Sequence, residues 1–157
     1  MKPKVYIETT IISYLAARQS KDIITAAKQQ ISCEWWEKHR SKYEIFISQL
    51  VIQESSAGDP DVVRRRLDIL EGFSLLDITE EAIVLSKELL ENIPLPRKAE
   101  LDVLHIAIAT VNGMDYLVTW NFTHIANATL RQKIETICRS LGYEPPVICT
   151  LCELMEA

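Results

Sequence analysis

Glycine is scarce in this chain of 157 residues. Gly58, Gly72, Gly113 and Gly142 are the only four, and none stands in a GxGxxG or GxxxxGK spacing. Phosphate cradling of the Rossmann or P-loop kind is therefore excluded. No GxSxG elbow occurs, which removes the strained serine nucleophile of the α/β-hydrolases. A long apolar run is also missing. The longest stretch without Asp, Glu, Lys or Arg runs from Tyr116 to Leu130 and contains Asn121, His124 and Asn127, whereas a spanning helix needs about 20 apolar residues. Lys2-Pro3-Lys4 is followed by three apolar residues before Glu8, too few for the core of a secretion signal. Four cysteines without such a signal are expected to be thiols in a cytoplasm. Cys149-Thr-Leu-Cys152 has zinc-like spacing, but no second Cys/His pair matches it. Basic excess is lacking too: 17 Lys and Arg face 22 Asp and Glu, for a net charge of −5. That balance weighs against a nucleic-acid protein that works through overall charge.

What is present is an ordinary globular composition, 48 % hydrophobic and 25 % charged, long enough for one core without a disulfide or a metal. Residues 1–157 read as a single domain. Short β-branched runs alternate with helical patterns. Val5-Tyr6-Ile7, Glu44–Ser48, Ser74–Asp77, Tyr116–Thr119 and Val147-Ile148-Cys149 are the five predicted strands. Between them, Ser20 or Asp22 caps a helix with an apolar stripe of Ile24, Ala27, Ile31 and Trp35. Asp59-Pro60 opens a helix that is expected to bury Val63, Leu67 and Leu70. Thr79 caps a helix to about Asn92. A further helix from about Ala99 to Asn112 has the stripe Leu101, Leu104, Ile108 and Val111, and the last long one runs from about Ala128 to Leu141. Alternating strands and helices predict a parallel sheet covered on both faces, a three-layer α/β/α sandwich.

Ligands of such sheets bind beyond the carboxyl ends of the strands. The residues there are carboxylates and an amide. Glu8 follows the first strand, Glu54 lies on the helix after the second, Asp102 opens the helix feeding the fourth, and Asn121 follows the fourth. Converging carboxylates repel one another unless a cation compensates them. Oxygen ligands suit a hard divalent ion, Mg²⁺ or Mn²⁺. Such an ion can hold a phosphate and lower the pKa of a bound water, which points to phosphodiester hydrolysis.

Val5-Tyr6-Ile7-Glu8-Thr9-Thr10-Ile11-Ile12-Ser13-Tyr14-Leu15 resembles the opening motif of PIN-domain nucleases. Ser48–Glu54 resembles their second motif, Asp102–Ala109 their third and Asp115–Phe122 their fourth, in order over residues 4 to about 150. VapC-type toxins are the members most similar to it. The resemblance implies a Mg²⁺- or Mn²⁺-dependent ribonuclease, often dimeric and often neutralised by a small antitoxin. It implies catalytic and metal-binding roles for Glu8, Glu54, Asp102 and Asn121. Two positions depart from the pattern: Glu8 stands where aspartate is usual, and Asn121 where an acid is usual.

Thr9, Ser48 and Thr119 stand beside the acids, where they can hydrogen-bond them or cap a helix and extend a strand. His105 lies one turn after Asp102 and reads as a packed histidine rather than a base. His124 lies in the loop beyond Asn121, toward substrate or solvent. Trp36 fits edge packing or a partner surface. Arg64-Arg65-Arg66 and Lys38–Lys42 are basic clusters that suit a solvated face or an RNA backbone. The expected function is a metal-dependent endoribonuclease, the toxin of a toxin–antitoxin pair. The alternative is a non-catalytic module of the same fold that binds RNA or a protein.

Overall fold

A computed structural model describes residues 1–155. Five strands form one all-parallel sheet in the order β3-β2-β1-β4-β5: β1 (Lys4–Ile7), β2 (Glu44–Ser48), β3 (Ser74–Leu76), β4 (Tyr116–Val118) and β5 (Val147–Cys149). Seven α-helices accompany them: α1 (Thr9–Ala16), α2 (Ile23–Lys38), α3 (Gln49–Ser55), α4 (Pro60–Leu70), α5 (Glu80–Asn92), α6 (Glu100–Val111) and α7 (Ala128–Ser140). The architecture is the three-layer α/β/α sandwich expected from the alternation.

The strands follow their β-branched and aromatic runs closely, because a parallel sheet buried on both faces needs continuous apolar side chains. Val5, Tyr6 and Ile7 of the central strand are all fully buried. Helix starts are set by side-chain caps. Asp22, Ser48, Asp59, Thr79 and Asn127 each accept a backbone N–H from the first turn of the helix they open. Gly113 stops α6 in the left-handed conformation, with φ +69°, that a side chain would strain.

Three expectations need correction, and one helix, α1, lies where none was predicted. Glu8 ends the extended stretch by capping Thr10 N, and Ile11 and Ile12 then turn into the core. In α2, Ile24 and Ala27 face outward; Gln29, Ser32 and Trp35 are buried instead. The polar pair can face inward because it is hydrogen-bonded. Gln29 spans Ser20 N and the Arg18 carbonyl, and Ser32 donates to the Lys28 carbonyl. In α4 only Leu70 is fully buried, while Val63 is half-buried and Leu67 is exposed. In α6, Leu101 is exposed while Val103 through Thr110, apart from Leu104, are buried: this helix is covered nearly all round, so no single stripe describes it.

Trp36 resolves as packing, edge-on to Phe73 with the Arg40 guanidinium above it. The arginine cluster is structural in part: Arg65 donates to the Ala16 carbonyl and Arg66 to the Ala57 carbonyl. Cys149 is buried and Cys152 exposed, and all four cysteines are free. No helix among the described residues is long and apolar enough to cross a membrane.

Candidate active site

The sheet order changes direction at β1, which is flanked by β2 on one side and β4 on the other. The crevice beyond the carboxyl ends of these strands is the switch point where doubly wound sheets bind ligands. Glu8 enters it directly from β1. It is 3 % exposed, yet no lysine or arginine among the described residues forms an ion pair with it. Oε1 accepts from Thr10 Oγ1 and Thr119 Oγ1, both at 2.5 Å, and Oε2 accepts from Thr10 N at 3.2 Å. Three donors in a fixed frame hold the carboxylate in one orientation.

Glu54 approaches from α3. Its Oε1 accepts from Thr9 Oγ1 at 2.6 Å and meets His105 Nε2 at 2.5 Å. Burial pushes the Glu54 carboxyl up, but its interaction with His105, with the Thr9 bond, outweighs it and holds the group below its ordinary value. Oε2 of Glu54 accepts nothing among the described residues, so its lone pairs are free. Glu8, Glu54 and His105 bring one ligand atom each within 4.8 Å of one another.

Asp102 opens α6 one turn before His105. It is not part of that close group: its Oδ2 meets His124 Nδ1 at 2.8 Å, and its Oδ1 is free among the described residues. Asn121 differs from the expected ligand role. Its Oδ1 accepts from Thr123 N at 3.2 Å and from His124 N at 3.0 Å, so both lone pairs of the oxygen cap the turn that follows. Asn121 thereby places His124 against Asp102. Thr119 Oγ1 receives the Asn121 amide at 2.9 Å while donating to Glu8. One continuous path of hydrogen bonds thus joins Glu8, Thr119, Asn121, His124 and Asp102. Ser48 does not touch an acid: it caps α3 at Val51 N and bonds Tyr6 Oη at 2.7 Å.

The residues that the sequence reading passed over are Thr10, Tyr6 and the two histidines as partners of Glu54 and Asp102. Thr10 has a local signal, a hydroxyl two positions after a helix-capping acid. The histidine pairings have none, since 51 and 22 residues separate the partners.

No protein-family model matches the sequence, and no curated protein matches it. Solved structures similar in fold include two PIN-type neighbours. One is VapBC2 from Rickettsia felis, bound to a DNA fragment from its promoter. It aligns with a TM-score of 0.56 over 94 % of this chain and 98 % of that one, at 16 % identity. The chain has the VapC-type PIN fold. A second match is VapC20 of Mycobacterium tuberculosis, described as a sarcin–ricin-loop-cleaving toxin. Its TM-score is 0.55 and its identity 14 %, over 72 % of this chain and 86 % of that one. The carboxylate crevice described above is therefore built into the PIN fold by β1, α3, α6 and the loop after β4.

The donor set fits a hard divalent cation. Among the described residues, two carboxylates crowd together with no lysine or arginine ion-paired to them, and free carboxylate oxygens remain on Glu54 and Asp102.

Proposed function

We propose that the chain is a divalent-cation-dependent endoribonuclease, acting as the toxin of a toxin–antitoxin pair. The observation that carries this reading is the meeting of Glu8 and Glu54, from β1 and α3, at the switch point of a PIN fold, with Asp102 one turn before His105 on α6 and no lysine or arginine among the described residues ion-paired to any of the three carboxylates. Similarity of fold to VapC20, a sarcin–ricin-loop-cleaving toxin, supports RNA as the substrate class.

Glu8, Glu54 and Asp102 would hold Mg²⁺ or Mn²⁺, which supplies charge at a phosphate and lowers the pKa of water. The protein's own part is orientation. Thr10 and Thr119 fix Glu8; Thr9 and His105 fix Glu54; His124 fixes Asp102. His124 Nε2 has no partner among the described residues and is free to hydrogen-bond RNA. A small antitoxin protein and a second copy of the chain are the partners this reading implies. A cytoplasm that keeps the cysteines reduced is its setting.

The test is D102A. The variant should keep the wild-type circular dichroism spectrum and lose RNA cleavage. Cleavage at the wild-type rate with Mg²⁺ or Mn²⁺ added would remove Asp102 from the site. The second reading is a non-catalytic module that binds RNA or a protein, and the occupied Oδ1 of Asn121 favours it, because one expected ligand is spent on a turn. Calorimetry separates the two readings: the non-catalytic module predicts no specific Mn²⁺ binding by the purified chain.

A further inference from the structure

Behind the carboxylates runs a row of buried polar side chains. Ser48 Oγ and Tyr6 Oη are 2.7 Å apart, Tyr6 Oη and His105 Nδ1 2.6 Å, and His105 Nε2 and Glu54 Oε1 2.5 Å. Ser48, Tyr6 and His105 are each 0 % exposed, so solvent does not complete the row. Each hydrogen in it must therefore find its acceptor within it.

Only one arrangement of protons satisfies every donor. Ser48 Oγ already accepts the Val51 amide as the cap of α3, and among the described residues the one acceptor within reach of its own hydrogen is Tyr6 Oη. Tyr6 then has His105 Nδ1 as the acceptor for its hydroxyl. With Nδ1 accepting, the ring proton sits on Nε2 and is donated to Glu54 Oε1. The reverse order leaves the Ser48 hydrogen buried with no acceptor. In a neutral ring it also sets the Nε2 lone pair against a carboxylate oxygen at 2.5 Å.

We propose that His105 is a positioning residue for Glu54 and not a cation ligand: its Nε2–H holds the carboxylate, while Tyr6 and Ser48 fix that tautomer from behind. This rests on the reading of Glu54 as part of the reactive site. Of the three side chains within 4.8 Å, His105 then has no lone pair to offer a cation, and the ligand set is oxygen alone. Glu54 Oε1 takes two donors, from Thr9 and His105, which turns the unengaged Oε2 into the ligating atom.

The experiment is long-range ¹H–¹⁵N correlation NMR of the full ¹⁵N-labelled chain, with H105Q used to assign the ring. The expected result is a proton on Nε2 and none on Nδ1, unchanged by excess Mg²⁺ or Zn²⁺. A proton on Nδ1, or loss of the Nε2–H signal on adding Zn²⁺, overturns the proposal. Calorimetry with Mn²⁺ gives the second readout. H105L should weaken binding roughly ten- to hundred-fold, as loss of a residue that orients a ligand does. H105Q, whose amide can also donate to Glu54, should recover most of it. Equal affinity in H105L and wild type, or no recovery in H105Q, contradicts the positioning role. If H105L does not fold, Y6F replaces it: without the Tyr6 hydroxyl to fix the ring from behind, the Nε2–H signal should persist and Mn²⁺ binding should weaken, and wild-type affinity in Y6F contradicts the proposal. A wild-type chain that binds no Mn²⁺ sinks the metal-dependent reading, whereas the position of the ring proton still decides the relay.

Discussion

The indole nitrogen of Trp120 donates to Ser32 Oγ at 2.8 Å, and this bond pins the loop after β4 to α2. Trp120 lies immediately before Asn121, and its own amide donates to Thr10 Oγ1 at 2.8 Å. The loop that carries Asn121 and His124 is thus held from two sides. S32A leaves a buried indole N–H without an acceptor, at a cost of about 1–3 kcal/mol. Urea denaturation should show a lower midpoint with an unchanged slope; an unchanged midpoint would mean that the bond adds nothing.

Thr119 serves Glu8 and Asn121 with one hydroxyl. T119V preserves volume and removes both bonds. RNA cleavage by T119V should fall roughly ten- to hundred-fold while the fold persists, and T119S should retain most of the rate. The comparison of kcat for the two variants distinguishes the hydroxyl from the methyl group.

Tyr6 predicts a loss of stability in alkali. Burial pushes its hydroxyl well above the ordinary value of 10.0, opposed by the Ser48 hydrogen bond and assisted by the charges of Glu8 and Glu54. Above about pH 10 the unfolded chain releases this proton and the folded chain keeps it. Stability is therefore full below pH 10 and declines as pH rises beyond it, by up to about 1.4 kcal/mol per pH unit for this one group. Denaturation midpoints measured from pH 9 to 11.5 should fall less steeply in Y6F. Parallel curves would show that Tyr6 ionises normally in the fold.

The cysteines divide in two. Cys33 and Cys152 are exposed and should react with iodoacetamide in the native protein. Burial pushes the thiol of Cys138 up, and that of Cys149 up to about 12. A group with that pKa is only about 0.1 % thiolate at pH 9. Mass spectrometry should find two labels on the native chain and four after denaturation. Three or four labels on the native chain would place Cys138 or Cys149 within reach of solvent.

The legible parts of the sequence were those governed by local chemistry. β2 and β5 appear at the bounds their apolar runs suggest, and Thr79 and Asp59 cap the helices their positions imply. Helix α1 was hidden because β-branched residues favour strands in isolation, whereas the cap at Glu8 and the burial of Ile11 and Ile12 reverse that preference. The inward face of α2 was hidden because hydrophobic periodicity cannot find a buried Gln29 or Ser32. Their burial depends on Ser20, Arg18 and Trp120, and in Trp120 on a strand end 88 residues away. At the site, motif order brought out Glu8, Glu54 and Asp102, but the turn-capping role of Asn121 depends on the three-dimensional path of the loop.

β1 is made first, yet its neighbour β4 is separated from it by more than half the chain. Thr119 must cross 111 residues of sequence to reach Glu8. Until β4 docks, one edge of the central strand is open and Glu8 lacks the Thr119 hydroxyl. Asp102 lacks His124 over the same interval. Loop closure of that length is slow compared with forming the local helices. On the function proposed above, a nascent chain would complete the site only after His124 has been made. On the same reading, a chain interrupted before residue 119 would lack both contacts and should not cleave RNA.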